Sequence, residues 1–513
     1  NHRGPDFCGF WKSSNGNTFF GHTRLSIIDL STNGSQPMVS INGRYVIVFN
    51  GEIYNYKLIK KDLKKKFNVK FNNETDTSVL LESISFLGLR KTLKLIEGMF
   101  AFALFDKKDE SITLVRDRYG EKPLFYFFDE NNFIFSSELK AIKKFFEKQK
   151  LEIDSESCKL FSCLGYIPAP LTIFKKTYKV LPAQIIKIKE KKIIEKEKYW
   201  GLDNIKNSSI EIYDYENINN LIEKSVKKLM IADVEIGCFL SGGIDSSLVA
   251  SLMQKNSMKK IKTFTIGFKE KQFDESQYAK EIANHLGTDH HEMIISIDDM
   301  MENIENVYDI YDEPFGDSSF LPTNIVSKLA SKSVKVVLSG DGGDEVFLGY
   351  NRYLFAKKIQ RFNNYIPLGI RKILKSLLTN FPIGILDYMS KPFEKKLGIQ
   401  GFSHKIQKIA NLMEYNDHID FYKKLNLIDN KNLEFLTNYK IFDEDRDLIS
   451  STQLNDINYY LPNDILTKVD RASMNNSLEV RSPFLDSTIA KYIFKISNKY
   501  KMKNGTLKYF LKK

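Results

Sequence analysis

Cysteine is scarce in this 513-residue chain: only Cys8, Cys158, Cys163 and Cys238 are present, with no CxxC pair among them. That spacing excludes a disulfide framework or a zinc ribbon and suits a reducing, cytoplasmic setting. No apolar run approaches the ~18 residues needed to cross a bilayer, and no signal peptide opens the sequence, so no membrane partner is expected. No internal repeat or low-complexity tract stands out. The net charge is +12, yet no basic-aromatic module accompanies it. The lysines are spread through solvated faces such as Lys60-Lys61-Asp62-Leu63-Lys64-Lys65-Lys66 and Lys189-Glu190-Lys191-Lys192, so no nucleic-acid partner is expected either. What remains is ordinary material for packed cores, 42% hydrophobic and 13% aromatic, in a length that suits two large domains or three smaller ones.

The most informative stretch is Ser241-Gly242-Gly243-Ile244-Asp245-Ser246-Ser247, directly behind the apolar run Val234 to Leu240. It reads as a strand delivering a glycine turn to the start of a helix, where free backbone N–H groups and a positive dipole end meet a phosphate. The turn has no Lys and lacks the GxxxxGK spacing of loops that grip β- and γ-phosphates for γ-transfer, which leaves pyrophosphate as the natural guest. Asp245 supplies an oxygen where Mg²⁺ would sit beside the phosphates. The plain alternative is a strand-turn-helix junction whose glycines only make the bend.

A second glycine and acid loop, Leu338-Ser339-Gly340-Asp341-Gly342-Gly343-Asp344-Glu345, follows an apolar run at Val334 to Leu338. Carboxylates on so tight a turn repel one another unless a cation neutralises them, so Asp245 and Asp344 are read as the Mg²⁺ ligands, against a solvated acidic turn. Strands expected at Val234 to Leu240, Lys262 to Phe268, His290 to Ser296 and Val334 to Ser339 alternate with helices. This predicts a doubly wound parallel sheet with its ligands at the strands' carboxyl ends.

Nearer the end, Lys468 to Met474 and Glu479 to Asp486 read as one helical stretch. Its cations Lys468, Arg471 and Arg481, with Lys508, either offset phosphate or carboxylate charge or form structural ion pairs. Residues 353–460 read as helical and carry no legible motif; Arg371 to Leu378 is expected to be a core-facing surface helix rather than a membrane-lying one.

The first half reads differently. Short strands are expected at Thr18 to Asp29, Tyr45 to Glu52, Phe100 to Asp106, Ile112 to Asp117, Leu124 to Phe128 and Phe133 to Ser136, with helices at Tyr56 to Phe67 and Thr77 to Gly88. That pattern suits two antiparallel sheets with helices outside. Domains are expected over 1–190 and 216–513, joined by a linker at 191–215. Arg24 is suited to a bidentate carboxylate contact, Glu52 and Asp76 to an ammonium, and Asn50 with the Gly51 N–H to an oxyanion. The set matches an α-amino acid carrying a side-chain amide.

Together with His2-Arg3-Gly4-Pro5-Asp6, Arg24-Leu25-Ser26-Ile27-Ile28-Asp29, Asn50-Gly51-Glu52-Ile53-Tyr54-Asn55, Arg116-Asp117-Arg118-Tyr119-Gly120 and Ser137-Glu138-Leu139-Lys140, these loops make the chain resemble the glutamine-hydrolysing asparagine synthetases. The resemblance implies an αββα amidotransferase domain of the N-terminal-nucleophile type and a synthetase domain of the ATP-pyrophosphatase type. It also implies ATP and Mg²⁺ as cofactors and glutamine, aspartate and ATP as substrates. By the family's pattern Arg24, Asn50, Gly51, Glu52 and Asp76 bind glutamine. Leu240, Ile266, Ser339 and Gly340 contact ATP alongside Ser241, Gly242, Gly243, Asp245 and Ser246. Asp341 falls at the acidic position associated with forming the acyl-adenylate, with Lys468 and Lys508 as catalytic cations.

The family's nucleophile is a Cys at the mature amino terminus, and here Asn1 opens the chain. Cys8 is read as a buried structural cysteine, the nucleophilic segment as missing, and Gly505 to Lys513 as an amphipathic helix cut short. Other readings are the same chemistry on another carboxylate such as a surface-polysaccharide sugar, an RNA-modifying relative of the pyrophosphate loop, and a non-catalytic regulatory homologue. The sequence admits a homodimer and fixes no oligomeric state.

Overall fold

The computed structural model describes residues 2–71, 73–205, 214–272, 274–301, 304–380, 402–415, 417–426 and 446–513. In the first half, six antiparallel strands lie in the order Lys192–Lys198, Gln184–Lys189, Ser111–Arg116, Gly98–Asp106, Tyr45–Ile53, Met38–Val39. Strand Tyr45–Ile53 is apolar on both faces. Ile47 and Phe49 pack under helices Tyr56–Phe67 and Asp76–Leu87, while Val46 and Val48 meet the opposite layer. That opposite layer is the ribbon of Phe7–Lys12 with Phe19–Arg24, together with a three-stranded sheet ordered Phe133–Ser136, Phe125–Phe128, Thr177–Lys179. Tyr126 turns inward to the six-stranded sheet; Phe125 and Phe127 turn outward onto helix Leu139–Phe145. Alternation along each strand thus builds four layers, helix, sheet, sheet, helix, as expected.

The linker expected over 191–215 starts later, because Lys192–Lys198 pairs with Gln184–Lys189 and completes the six-stranded sheet. The charged hairpin Lys189 to Lys192 hid that strand, since its outward residues are polar.

The second half holds five parallel strands in the order Asp289–Ile295, Lys262–Phe268, Ile236–Phe239, Val336–Leu338, Glu479–Arg481. One face packs under helices Tyr215–Leu229, Ile244–Lys255 and Ser487–Lys495, and the other under Phe320–Ala330 and Leu466–Met474. Strand order reverses between Ile236–Phe239 and Val336–Leu338. Both glycine loops leave the sheet at that switch point, where open α/β sheets bind ligands.

Three expectations fail here. Glu479–Arg481 is an edge strand rather than part of a helix; it pairs with Val336–Leu338, and three residues are too few to show a period of two. Residues after Lys501 form turns instead of an amphipathic helix, with Lys508 at φ 51° and Gly505 at φ 75°. Helix Leu368–Asn380 buries none of its residues and leaves Ile373 and Leu377 each 62% exposed, so it is not core-facing. Residues 381–401 and 427–445, within the stretch read as helical, lie outside the described residues. No helix among the described residues is long and apolar enough to cross a membrane.

Candidate active sites

The two glycine loops are pressed together by the absence of side chains. A Cβ on Gly340 would lie 2.8 Å from Asp245 Cβ and 2.9 Å from the Ser246 nitrogen, and one on Gly343 would lie 2.7 Å from Asp245 Oδ2. Gly242, at φ 80°, packs its backbone against Tyr278 and Ala279. Helix Ile244–Lys255 is capped by Gly243, which offers no side-chain acceptor, so the N–H groups of its first turn stay available to an anion. The serine hydroxyls hold the loop's shape: Ser246 Oγ accepts from the Ser241 N–H at 3.2 Å and donates to the Gly243 carbonyl at 3.1 Å.

These loops form one end of a cavity of about 900 Å³. Leu240, Ser241, Gly243, Asp245, Ser246, Ile266, Ser339, Gly340, Asp341, Asp344, Lys468 and Lys508 all line it. Gly242 lies outside the lining and acts as the turn. Apolar walls come from Phe239, Phe264, Ile297 and Val326, a surface suited to a nucleoside base.

Charge in this cavity is concentrated and paired. Lys508 bonds Asp245 and lies 2.6 Å from Asp344 Oδ1, so a lysine ammonium joins the two acids read as cation ligands. Burial, and then the neighbouring Asp344 and Asp341, push the Asp245 carboxyl up to about 6 although Lys508 pulls the other way. Burial also raises Asp341, whose Oδ2 accepts from Ser339 Oγ at 2.7 Å. Lys468 donates to Asp317 Oδ2 at 2.9 Å and Ser319 Oγ at 2.8 Å. Burial works against the Asp317 carboxylate, but Lys468 and Ser319 hold it below the usual range. Asp317 and Ser319 escaped the sequence reading; the small polar turn Gly316-Asp317-Ser318-Ser319 before helix Phe320–Ala330 was their signal. Asp245 Oδ1 is buried without a hydrogen-bond partner. Two carboxylates beside a phosphate-accepting turn fit a Mg²⁺ ion, which characteristically takes one or two protein carboxylates plus substrate phosphates.

A second cavity, of about 940 Å³, lies in the first half and gathers Arg24, Asn50, Gly51, Glu52 and Asp76 with Cys8, Glu138 and Glu479. Gly51 has φ 147°, and a Cβ there would meet the Met99 carbonyl oxygen at 2.1 Å, so no other residue fits. Asn50 Nδ2 is buried with no partner and is free to donate to a bound ligand. Asp76 accepts from the Ile53 N–H at 2.8 Å and the Thr77 N–H at 2.7 Å, yet burial pushes it up to about 6. Burial and then Asp76 raise Glu52 well above the usual carboxyl range. Such an acidic pair is stabilised by an incoming ammonium.

Arg24 behaves less simply than expected. Its guanidinium donates to the carbonyls of Ser31 at 2.6 Å, Ile28 at 3.2 Å and Asp29, organising the turn beside the cavity. A bidentate contact with a substrate carboxylate requires those bonds to be exchanged. Cys8 is exposed and lines the cavity, so it is not the buried structural cysteine expected; it sits on a two-stranded ribbon that leaves one side uncovered. Arg471 and Arg481 line neither cavity's phosphate end. Arg471 lies 3.1 Å from Glu138 and 3.2 Å from Asp312, and Arg481 pairs with Glu479 at 2.9 Å, the structural alternative for both.

Residues 217–513 match the family described as asparagine synthase, and residues 1–200 match the glutamine amidotransferase domain. The chain belongs to the asparagine synthase family. It is 33% identical over 518 residues to asparagine synthetase (glutamine-hydrolysing) 1 of Bacillus subtilis, covering all of this chain and 79% of that protein. A Methanocaldococcus jannaschii protein, provisionally named asparagine synthetase (glutamine-hydrolysing) 2, is 40% identical over 73% of this chain and 77% of its own length. The four-layered first half is thus the N-terminal-nucleophile amidotransferase arrangement, and the parallel sheet is the ATP-pyrophosphatase type of an asparagine synthase.

Proposed function

We propose that this chain makes asparagine from aspartate, using ATP and ammonia released from glutamine. In the cavity between the glycine loops, an aspartate β-carboxylate oxygen attacks the α-phosphorus of ATP. The bond to the β-phosphate oxygen breaks, giving β-aspartyl-AMP and pyrophosphate. Ammonia then attacks the acyl carbon; the carbon-oxygen bond to AMP breaks, and a proton is lost as the amide forms. Leu240 and Ile266 flank the nucleoside, while Ser241, Gly243, Ser246, Ser339 and Gly340 offer donors to the phosphates, with Gly242 making the turn between them. Asp245 and Asp344 would hold Mg²⁺, which supplies charge neutralisation on the phosphates. Lys508 and Lys468 face the charge that grows on the departing pyrophosphate and on the acid, and Asp341 lies beside them.

In the other cavity Glu52 and Asp76 take the α-ammonium of glutamine, Arg24 its α-carboxylate, and Asn50 with Gly51 the oxyanion formed at the amide carbon. A cytoplasmic location fits the free thiols Cys163 and Cys238 in its core.

The observation that carries the synthetase reading is the contact of the two glycine loops at Gly340 and Asp245, which gives a phosphate-accepting turn and its acids one common cavity. Hydroxylamine trapping tests it: with ATP and Mg²⁺, aspartate yields β-aspartyl hydroxamate and other carboxylates do not. Hydroxamate from a different acid alone contradicts the acceptor assignment.

A further inference from the structure

Arg481 is among the largest fully buried side chains of the described residues, at the edge of the synthetase sheet, and its guanidinium is fixed almost completely. Nη1 donates to the carbonyls of Leu229 at 2.8 Å and Ile231 at 2.7 Å, and Nε donates to Glu479 Oε1 at 2.9 Å. The remaining nitrogen, Nη2, is buried without a hydrogen-bond partner and lies 3.6 Å from Glu52 Oε1 across the domain boundary. Glu52 Oε2 is likewise buried and unpartnered, in the wall of the amidotransferase cavity. An arginine held through two of its three nitrogens by three hydrogen bonds to groups of its own domain cannot retreat, so it presents a fixed positive charge to Glu52.

Glu52 needs that charge. It is faced by Asp76 from helix Asp76–Leu87, by Glu479 and Arg481 from the synthetase edge strand, by Arg24 from the ribbon, and by Tyr54 and Tyr56 beyond its own strand. Burial and the two neighbouring acids favour a proton on Glu52, and a protonated carboxyl does not pair with an ammonium. Arg481 opposes them.

We infer that Arg481 is a positioning residue of the glutamine site: from the synthetase domain it fixes Glu52 in place and offsets part of the repulsion there, so that the substrate ammonium completes the ionised pair. The amide-donor site is then completed by a residue of the neighbouring domain. This rests on the reading of that cavity as the glutamine site. The Arg481 carbonyl also accepts from the Ser339 N–H at 3.0 Å, so the residue that completes one site braces the first residue of the ATP-site loop.

The test compares Arg481→Met, Arg481→Lys, Glu52→Gln and the double variant in the intact enzyme, with asparagine formation driven by glutamine or by ammonium. Arg481→Met is expected to raise KM for glutamine about tenfold relative to KM for ammonium, and to move the acid limb of the glutamine kcat/KM profile to higher pH. Arg481→Lys, which keeps the charge, is expected to recover part of that loss and carries the test alone if Arg481→Met does not fold. In the Glu52→Gln background, Arg481→Met should add no further loss in glutamine KM. Equal losses with both nitrogen donors, or an undiminished effect in the Glu52→Gln background, would overturn the inference. Glu52→Gln leaving glutamine KM unchanged would instead sink the reading of the cavity itself.

Discussion

The Lys508 ammonium sits 2.6 Å from Asp344 Oδ1 and bonds Asp245 as well, so a residue of the last turns ties the two phosphate loops together. Two acids on neighbouring loops would repel across the site, and the lysine neutralises them. Gly349 makes this possible: a Cβ there would lie 1.9 Å from Asp344 Oδ1 and 2.0 Å from Lys508 Cε. Lys508→Met should therefore lower kcat for pyrophosphate release by ~10²–10³-fold, the scale of losing one preorganised charge at a transition state. Stopped-flow or coupled assays of pyrophosphate at saturating ATP measure it.

Gly340→Ala probes loop contact rather than charge. The new methyl meets Asp245 Cβ and the Ser246 nitrogen at under 3 Å, backbone and a short side chain that cannot swing away. Overpacking of this kind costs ~1–3 kcal/mol, and here the strain is relieved by parting the loops. The expected result is loss of pyrophosphate release with a folded protein, checked by circular dichroism beside the assay.

The pH dependence of the synthetase half follows from Asp245. Its carboxyl is pushed up to about 6, so as pH falls through that value it takes a proton and loses its charge pairing with the Lys508 ammonium. Ammonium-driven pyrophosphate release should show an acid limb near about 6 when the free ammonia concentration is held constant. Because Lys508 pulls the Asp245 carboxyl down, Lys508→Met should move the residual activity's limb to higher pH.

Between the halves, Arg3 binds Asp470 through two nitrogens at 2.8 and 3.1 Å, and Lys122 approaches the same carboxylate at 3.7 Å. Asp470→Ala removes the nearest acidic partner of both cations in a buried interface, leaving Arg3 with Glu138 at 3.3 Å and Lys122 with Glu479 at 3.9 Å. A loss of ~3–5 kcal/mol in urea unfolding is expected, the usual result of removing one partner of a buried pair.

The sequence showed the loops and the acids plainly, because glycine next to a strand end is a conformational requirement visible in one dimension. Helix Tyr56–Phe67 and strand Lys262–Phe268 were legible to their last residue, since their apolar spacing is regular. Glu479–Arg481 was not, because a three-residue strand is defined by its neighbour Val336–Leu338 and not by its own pattern. The same reason hid Arg481: its role depends on Glu52, far away in sequence, and on two carbonyls at the end of helix Tyr215–Leu229. Lys508 lines the cavity from an αL turn that the sequence disguises as helix, since Leu507, Phe510 and Leu511 mimic an amphipathic face. Asp317 was overlooked because a lone acid in a polar turn looks like a cap until Lys468 folds against it.

Acyl-adenylate formation breaks ATP between its α- and β-phosphates, and product analysis with γ-labelled and α-labelled ATP tests for that cleavage directly. With aspartate and ammonium present, the label should appear in pyrophosphate and in AMP, in equal amounts and matched by asparagine. Label in orthophosphate and ADP would contradict it.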